Sequence, residues 1–167
     1  SNYFISSIPS QLGQLTSFVS ALYFDTNRFT GWIPSELGQL TALTEYIVLN
    51  ANSITGPLPS QLGQFSRLKA HLRFFSNRFT GTIPSQFGLM TAMTTEFLLN
   101  QNSLSGSLPS ELGQLSFMTS SFNLFQNSFS GKLPSELGKM TSFSSRLQLY
   151  QNSFTGLLDG SLLNWAS

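Results

Sequence analysis

Apolar residues recur along this chain in a short, fixed pattern. Leu22-Tyr23-Phe24, Ile47-Val48-Leu49, Leu72-Arg73-Phe74, Phe97-Leu98-Leu99, Phe122-Asn123-Leu124 and Leu147-Gln148-Leu149 each place two apolar residues about a freely varying one. That alternation is the period of a short, half-buried strand. The segments follow one another at a constant interval of 25 residues. Ile8-Pro9, Ile33-Pro34, Leu58-Pro59, Ile83-Pro84, Leu108-Pro109 and Leu133-Pro134 keep the same beat, as do Asn2, Asn27, Asn52, Asn77, Asn102, Asn127 and Asn152. A fixed period of this size predicts a solenoid, in which each unit buries its apolar side against its neighbours. One strand per unit, stacked in register, predicts one parallel sheet with about 4.8 Å between units.

The rest of each unit reads as a turn and a return path. The asparagine comes three residues after the apolar pair. Its amide both donates and accepts, so it suits turn backbone and a link to the next unit. Asn27, Asn52, Asn77, Asn102, Asn127 and Asn152 are therefore expected to form a structural ladder. Phe29, Ile54, Phe79, Leu104, Phe129 and Phe154 follow as a mostly aromatic spine. Gly31, Gly56, Gly81, Gly106, Gly131 and Gly156 then mark a turn that disfavours side chains. Proline opens an extended return segment that donates no hydrogen bond. The run from serine to Gly-x-Leu is short enough for one helical or 3-10 turn on the back.

Composition narrows the partners. Charged residues are 9% of the 167 and the formal net charge is +1. With no basic stripe, nucleic acid is a poor partner. Serine, threonine, asparagine and glutamine supply the polar surface, and a charge near zero favours association. There is no cysteine and a single histidine, so no thiolate metal site or disulfide is expected and no cofactor is called for. No apolar run reaches the roughly 18 residues of a membrane span. No asparagine has serine or threonine two places on, which excludes N-linked sugar.

The frame LxLxxNxLxGxIPxxLGxL, repeated six times over essentially the whole chain, resembles the plant-type leucine-rich repeat. The resemblance implies an α/β solenoid, a right-handed superhelix with one parallel sheet of short strands and an irregular or 3-10 back face. It also implies a non-enzymatic, extracellular or cell-surface module whose strand face binds protein, peptide or glycan. The chain departs from the family frame in three ways. Each unit is one residue longer, with the extra residue just before the strand, as between Met118 and Phe122. Phenylalanine and methionine often replace leucine. Cysteine-bearing end caps are absent.

The candidate ligand face is made of the positions flanking and within the strands. Tyr23, Tyr46, His71, Arg73, Phe75, Glu96, Phe125, Arg146 and Tyr150 are its aromatic and charged members, and such a mixture suits a peptide or sugar groove. The bland alternative is an ordinary solvated sheet face. His71, Glu96 and Ser121 share one column and invite a triad reading, but the carboxylate stands in the middle, where a nucleophilic triad needs the imidazole. A surface His71–Glu96 pair worth about 0.5 kcal/mol is the better expectation. Glu111 and Glu136 sit one unit apart, about 5 Å, like a glycosidase pair. The same column reads Glu36, Gln61, Gln86, Glu111, Glu136, as on any solvated face. Ser10, Ser35, Ser60, Ser85, Ser110 and Ser135, and Thr30, Thr55, Thr80, Ser105, Ser130 and Thr155, form hydroxyl columns. Tight turns explain them most simply; ordered water at an ice surface or O-linked sugar are weaker readings.

One array is expected over residues 1–167, with units starting at 8, 33, 58, 83, 108 and 133 and partial units at both ends. Ser1-Asn2-Tyr3-Phe4 enters mid-unit, and Leu157 to Trp165 begins a seventh unit in which Asp159 replaces proline and Leu163 replaces glycine, a partial cap. Solenoid ends expose unpaired backbone and apolar cross-section. The second functional reading is accordingly a structural subunit that assembles with other copies of itself into a filament or coat.

Overall fold

The computed structural model describes residues 4–156, so the expected cap over Leu157 to Trp165 and the opening Ser1-Asn2-Tyr3 lie outside the described residues. In chain order the strands are β1 (Ala21–Tyr23), β2 (Tyr46–Val48), β3 (Thr55–Pro57), β4 (His71–Arg73), β5 (Arg78–Gly81), β6 (Glu96–Leu98), β7 (Ser103–Gly106), β8 (Ser121–Asn123), β9 (Ser128–Gly131), β10 (Arg146–Gln148) and β11 (Ser153–Phe154). β1, β2, β4, β6, β8 and β10 pair in that order as one parallel sheet. Its register follows the repeat: Tyr46 faces His71, and Glu96 faces Ser121. Each strand begins one residue before the apolar pair, so Leu22, Ile47, Leu72, Phe97 and Phe122 take the middle place and are buried. The second apolar residue continues the ladder just beyond: Leu49 N–H donates to the Arg73 carbonyl at 2.8 Å, and Phe74 N–H to that of Leu98 at 2.9 Å.

The expectation of a single sheet was incomplete. β3, β5, β7, β9 and β11 form a second parallel sheet on the far side of the asparagine turn. Its cause is a second stretch of alternation: Arg78 and Thr80 are exposed while Phe79 between them is buried. The register here is staggered against the repeat. Thr55 faces Arg78, and its repeat equivalent Thr80 faces Ser103. The threonine-serine column is therefore not a ladder of directly opposed hydroxyls.

The back of each unit is a 3-10 turn: Ser10–Gln14, Ser35–Gln39, Ser60–Gln64, Ser85–Leu89, Ser110–Gln114 and Ser135–Lys139. No α-helix occurs among the described residues, so the α/β label reduces to strands and 3-10 turns. Proline sets the entry. Pro34, at φ −64° and ψ 135°, offers its carbonyl to the Leu37 N–H at 3.1 Å. Two glycine columns serve different ends. Gly81 holds φ at +76°, where a side chain is strained. Gly88 lies so close to the next unit that a Cβ would sit 2.3 Å from the Glu111 carbonyl oxygen. The first column permits the turn; the second permits the units to touch.

A continuous core runs between the sheets and the 3-10 turns. Phe65, Phe74, Phe79, Phe87, Phe97, Phe122 and Phe129 are its largest fully buried members. Phe97 and Phe122 stack with centroids 5.0 Å apart and planes at 7°, an arrangement worth about 0.5–1.5 kcal/mol beyond area burial. The asparagines join the units. Asn52 Nδ2 donates to the carbonyls of Phe24 and Leu49 at 2.9 and 3.0 Å, and its Oδ1 accepts the Phe29 N–H at 3.0 Å. Asn77, Asn102 and Asn127 make the same three kinds of bond. Asn152 donates to the Leu124 and Leu149 carbonyls, and its Oδ1 accepts the Phe129 N–H. Asn27 Oδ1 is buried with no partner among the described residues.

The loop that holds the extra residue has its own seam, hydroxyl-bonded at four positions and by backbone alone at Lys69. Thr44 Oγ1 donates to the Val19 carbonyl at 2.8 Å, Thr94 Oγ1 to Lys69 at 2.9 Å, Thr119 Oγ1 to Thr94 at 2.9 Å and Ser144 Oγ to Thr119 at 3.3 Å. The backbone N–H of the same four residues bonds the same carbonyl. Hydroxyl and amide thus hold the longer loop against its predecessor.

Candidate functional site

The exposed face of the first sheet carries the candidate ligand residues because strand side chains alternate. Leu72 of β4 points into the core, so His71 and Arg73 point out. The structure gathers most of the candidates into two groups. In the first, Tyr23, Tyr46 and His71 form a stack: Tyr23 and Tyr46 have centroids 5.9 Å apart, and Tyr46 lies over His71 at 4.6 Å and 19°. His71 then leads to Glu96, whose Oε2 accepts from His71 Nδ1 at 3.1 Å and from Arg73 Nε at 2.6 Å. In the second group, Phe125 and Tyr150 stack at 4.7 Å and 6°. Arg146 is exposed on β10 and joins neither group; its strand pairs it with Ser121.

The protonation of His71 follows from Thr95, a neighbour not anticipated from sequence. Thr95 Oγ1 donates its proton to the Ala70 carbonyl at 2.5 Å. It therefore meets His71 Nδ1, at 3.2 Å, as an acceptor. Glu96 is an acceptor too, so the proton of the neutral ring sits on Nδ1 and Nε2 is left with its lone pair. Burial holds the His71 pKa below the ordinary 6.5; Glu96 opposes this and Arg73 adds to it.

Arg73 has a partner for Nε only. Among the described residues nothing takes its two Nη groups. Arg73 borders a shallow depression of about 380 Å³, lined also by Tyr23, Asp25, Val48, Asn50, Phe75, Glu96 and Leu98. Val48 is buried and forms the floor, while Tyr23 is 60% exposed and forms a wall. Asp25 uses one carboxylate oxygen, Oδ2, to accept from Thr26 at 3.3 Å. Val48 and Leu98 stand in the column of Tyr23 and Arg73, and Asp25 and Asn50 in that of Phe75; their spacing was visible in the sequence, their convergence was not.

No catalytic constellation forms among the described residues. Ser121 is the strand partner of Glu96 on the side away from His71, so the hydroxyl has no imidazole to activate it. Glu111 and Glu136 lie on the back, where each accepts at 3.4 Å from the serine just before it, Ser110 and Ser135. No group of three or more histidine, cysteine, aspartate or glutamate side chains able to hold a metal occurs among the described residues. Among the same residues no helix is long and apolar enough to cross a membrane.

This architecture, with its repeating strand, asparagine turn and 3-10 back, matches known structures. The leucine-rich-repeat ectodomain of the membrane receptor kinase GASSHO1/SCHENGEN3 from Arabidopsis thaliana, solved in complex with CASPARIAN STRIP INTEGRITY FACTOR 2, superposes with a TM-score of 0.92 at 38% identity over 99% of this chain. The plant peptide hormone receptor RGFR1, solved in complex with RGF2, does so with a TM-score of 0.86 at 31% identity over 95% of this chain. This chain spans 19% and 25% of those two proteins. A plant ice-binding protein shares the fold at a TM-score of 0.71 and 22% identity, over 96% of this chain and 65% of its own length. No protein-family model and no curated protein matches the chain. The chain belongs to the plant-type leucine-rich-repeat proteins, built here from 25-residue units.

Proposed function

We propose that this array is an extracellular recognition module that binds a peptide or a protein segment on the exposed face of its first sheet. The observation that carries the reading is the grouping of aromatic and charged side chains around the depression: the Tyr23–Tyr46–His71 stack, the Glu96-held Arg73 and Phe75. Rigid aromatic and arginine side chains are the residues that dominate binding energy at such surfaces. The similar structures, a leucine-rich-repeat ectodomain in complex with CASPARIAN STRIP INTEGRITY FACTOR 2 and a plant peptide hormone receptor in complex with RGF2, support a partner of peptide class and an extracellular setting. The staggered register of the second sheet weighs against ice as the ligand, because Thr80 lies opposite Pro57 and Ser103 and not opposite another threonine.

The test is selection of a displayed random-peptide library on the immobilised chain, with a parallel glycan array. Enriched peptides are expected to lose about tenfold or more in affinity when Tyr46, Arg73, Phe75 or Phe125 is changed to alanine. Binding that survives all four changes and is lost on changing back-face residues such as Gln61 and Gln86 overturns the reading. Enrichment of glycans alone moves the ligand class to sugar. Sedimentation at micromolar concentration tests the self-assembly alternative: concentration-dependent polymers would favour it, a monomer would exclude it.

A further inference from the structure

Resting on the peptide reading above, we propose that Asn100 is the polar anchor of the ligand face. Its side-chain amide takes the backbone N–H and C=O of one residue of an extended peptide, in a notch walled by Phe75 and Phe125.

The burial of Asn100 and the idleness of its amide carry this. Asn100 is the one buried polar residue among the described residues, at 6% exposure. Its backbone carbonyl accepts the Ser76 N–H at 3.1 Å and the Asn102 side chain at 3.2 Å. Its own carboxamide has no hydrogen-bond partner among the described residues. The ladder asparagines differ: Asn77 and Asn102 each use both Oδ1 and Nδ2 on backbone groups. Among the described residues the sealed side-chain atom without a partner is Asn27 Oδ1. The Asn100 amide is not sealed, so its tip opens at the surface.

That surface is the ligand face. Leu99 fills the core, and alternation turns Asn100 the other way. Its column reads Asp25, Asn50, Phe75, Asn100, Phe125, Tyr150. The first three line the depression, and Tyr150 is 53% exposed. Ser76 N–H on the Asn100 carbonyl, and Gln101 N–H on the Phe125 carbonyl at 2.9 Å, hold Phe75, Asn100 and Phe125 level. At about 4.8 Å per unit, Phe75 and Phe125 stand roughly 10 Å apart, with the shorter amide between them. Tyr150 braces Phe125 by stacking on it at 4.7 Å. Leu98, two residues back on the same face, adds apolar surface on a third side.

An amide offers two donors and an acceptor side by side. Left unpaired in apolar surroundings it is costly, and a bond made there is stronger than one made in water. The matching group must present a donor and an acceptor together. In an extended chain the N–H and C=O of one residue point to the same edge, so one residue meets Oδ1 and Nδ2 at once. A carboxylate would set an acceptor against Oδ1, and an ammonium a donor against Nδ2. A half-turn about χ2 exchanges Oδ1 and Nδ2, so either chain direction is accepted. The anchor therefore fixes where the backbone crosses the face. Main-chain bonds of this kind supply affinity, and the flanking side chains supply specificity.

The experiment starts from a peptide selected on the wild-type chain from a displayed random library. It is resynthesised with an N-methyl group at each residue in turn and measured by calorimetry against wild type and Asn100→Leu. One N-methyl position is expected to weaken wild-type binding about tenfold or more, and Asn100→Leu to weaken the parent peptide as much. The two losses should not add, because they remove the same bond. Asn100→Leu should keep or raise the urea midpoint, since it removes an amide that no protein group pairs. Asn100→Ala, which cannot overpack, carries the same cycle if the leucine variant fails to fold. Midpoints well below wild type in both variants would make Asn100 a framework residue and overturn the inference. An invariant Asn or Gln in the selected peptides, with no position sensitive to N-methylation, also overturns it, by moving the paired amide to a ligand side chain. Peptides that need Phe75 and Phe125 yet bind Asn100→Leu as tightly as wild type overturn it and leave strand-face recognition standing. Peptides indifferent to Phe75→Ala and Phe125→Ala, or no enrichment at all, overturn both.

Discussion

Asn77 Nδ2 donates to the Leu49 carbonyl at 2.9 Å, across the boundary between two units. The same side chain accepts the Ile54 N–H at 3.1 Å and donates to Phe74 within its own turn at 3.3 Å. One amide thus satisfies backbone groups that neither strand ladder can reach, and it ties together the two units it touches. Removing it leaves the Ile54 N–H unpaired, while the Leu49 and Phe74 carbonyls keep only the amides of Asn52 and Asn102. Asn77→Ala is expected to cost about 1–3 kcal/mol in urea unfolding. The exposed control Gln64→Ala should stay within about 0.5 kcal/mol of wild type. Equal midpoints for the two variants would contradict the role given to Asn77.

The two glycine columns should respond differently to substitution. Gly88→Ala puts a methyl group against the Glu111 carbonyl and is expected to cost about 1–3 kcal/mol through overpacking. Gly81→Ala meets only Pro57 Cβ at 3.7 Å, so its cost of about 1–2 kcal/mol comes from φ alone. Asparagine tolerates the left-handed region, so Gly81→Asn should recover part of the loss, whereas Gly88→Asn should be worse than alanine. Denaturant midpoints of the four variants separate strain from collision.

Phe97 is fully buried and stacked on Phe122 while meeting Phe87 edge-on at 6.2 Å. Phe97→Ala is expected to cost about 3–5 kcal/mol, and Phe97→Leu much less because it keeps most of the volume. A loss below about 1 kcal/mol for the alanine variant would mean that the neighbouring units collapse onto the cavity.

Folding stability should depend on pH through His71. Burial keeps its folded pKa below 6.5, so between the lowered and the ordinary value the unfolded chain binds more protons than the folded one. Stability from this group therefore rises with pH through that window and is lost as pH falls through it. Urea midpoints measured from about pH 7 down to about pH 5 should drop more steeply for wild type than for His71→Gln. Parallel curves would show that His71 contributes nothing to the slope.

Much of this molecule was legible from local pattern. Leu72-Arg73-Phe74 and its five equivalents announced a strand, and their interval announced the stack, because side-chain alternation and chain repetition are properties of neighbouring residues. Gly81 announced a left-handed turn, and Pro34 an extended entry to a 3-10 turn. The second sheet was less visible. Its segments are short and polar, as in Ser128–Gly131, and only the buried Phe129 betrays the alternation. The seam of Thr44, Thr94, Thr119 and Ser144 left a periodic hydroxyl in the sequence, but its acceptors are backbone carbonyls, which no side-chain pattern records.

The sequence by itself determined the period, the strands, the buried spine and the set of side chains on the exposed face. Only the tertiary structure decided how those side chains meet. Glu96 lies one strand from both His71 and Arg73, and rotamers chose to bring both onto one oxygen. Thr95 spends its proton on Ala70 and so sets the His71 tautomer. The stagger of the second sheet sets Thr80 beside Ser103, where the repeat alone would have set it level with Ser105. Period and alternation are written in one dimension, whereas register, tautomer and charge pairing depend on distances between residues that become neighbours only when the units stack.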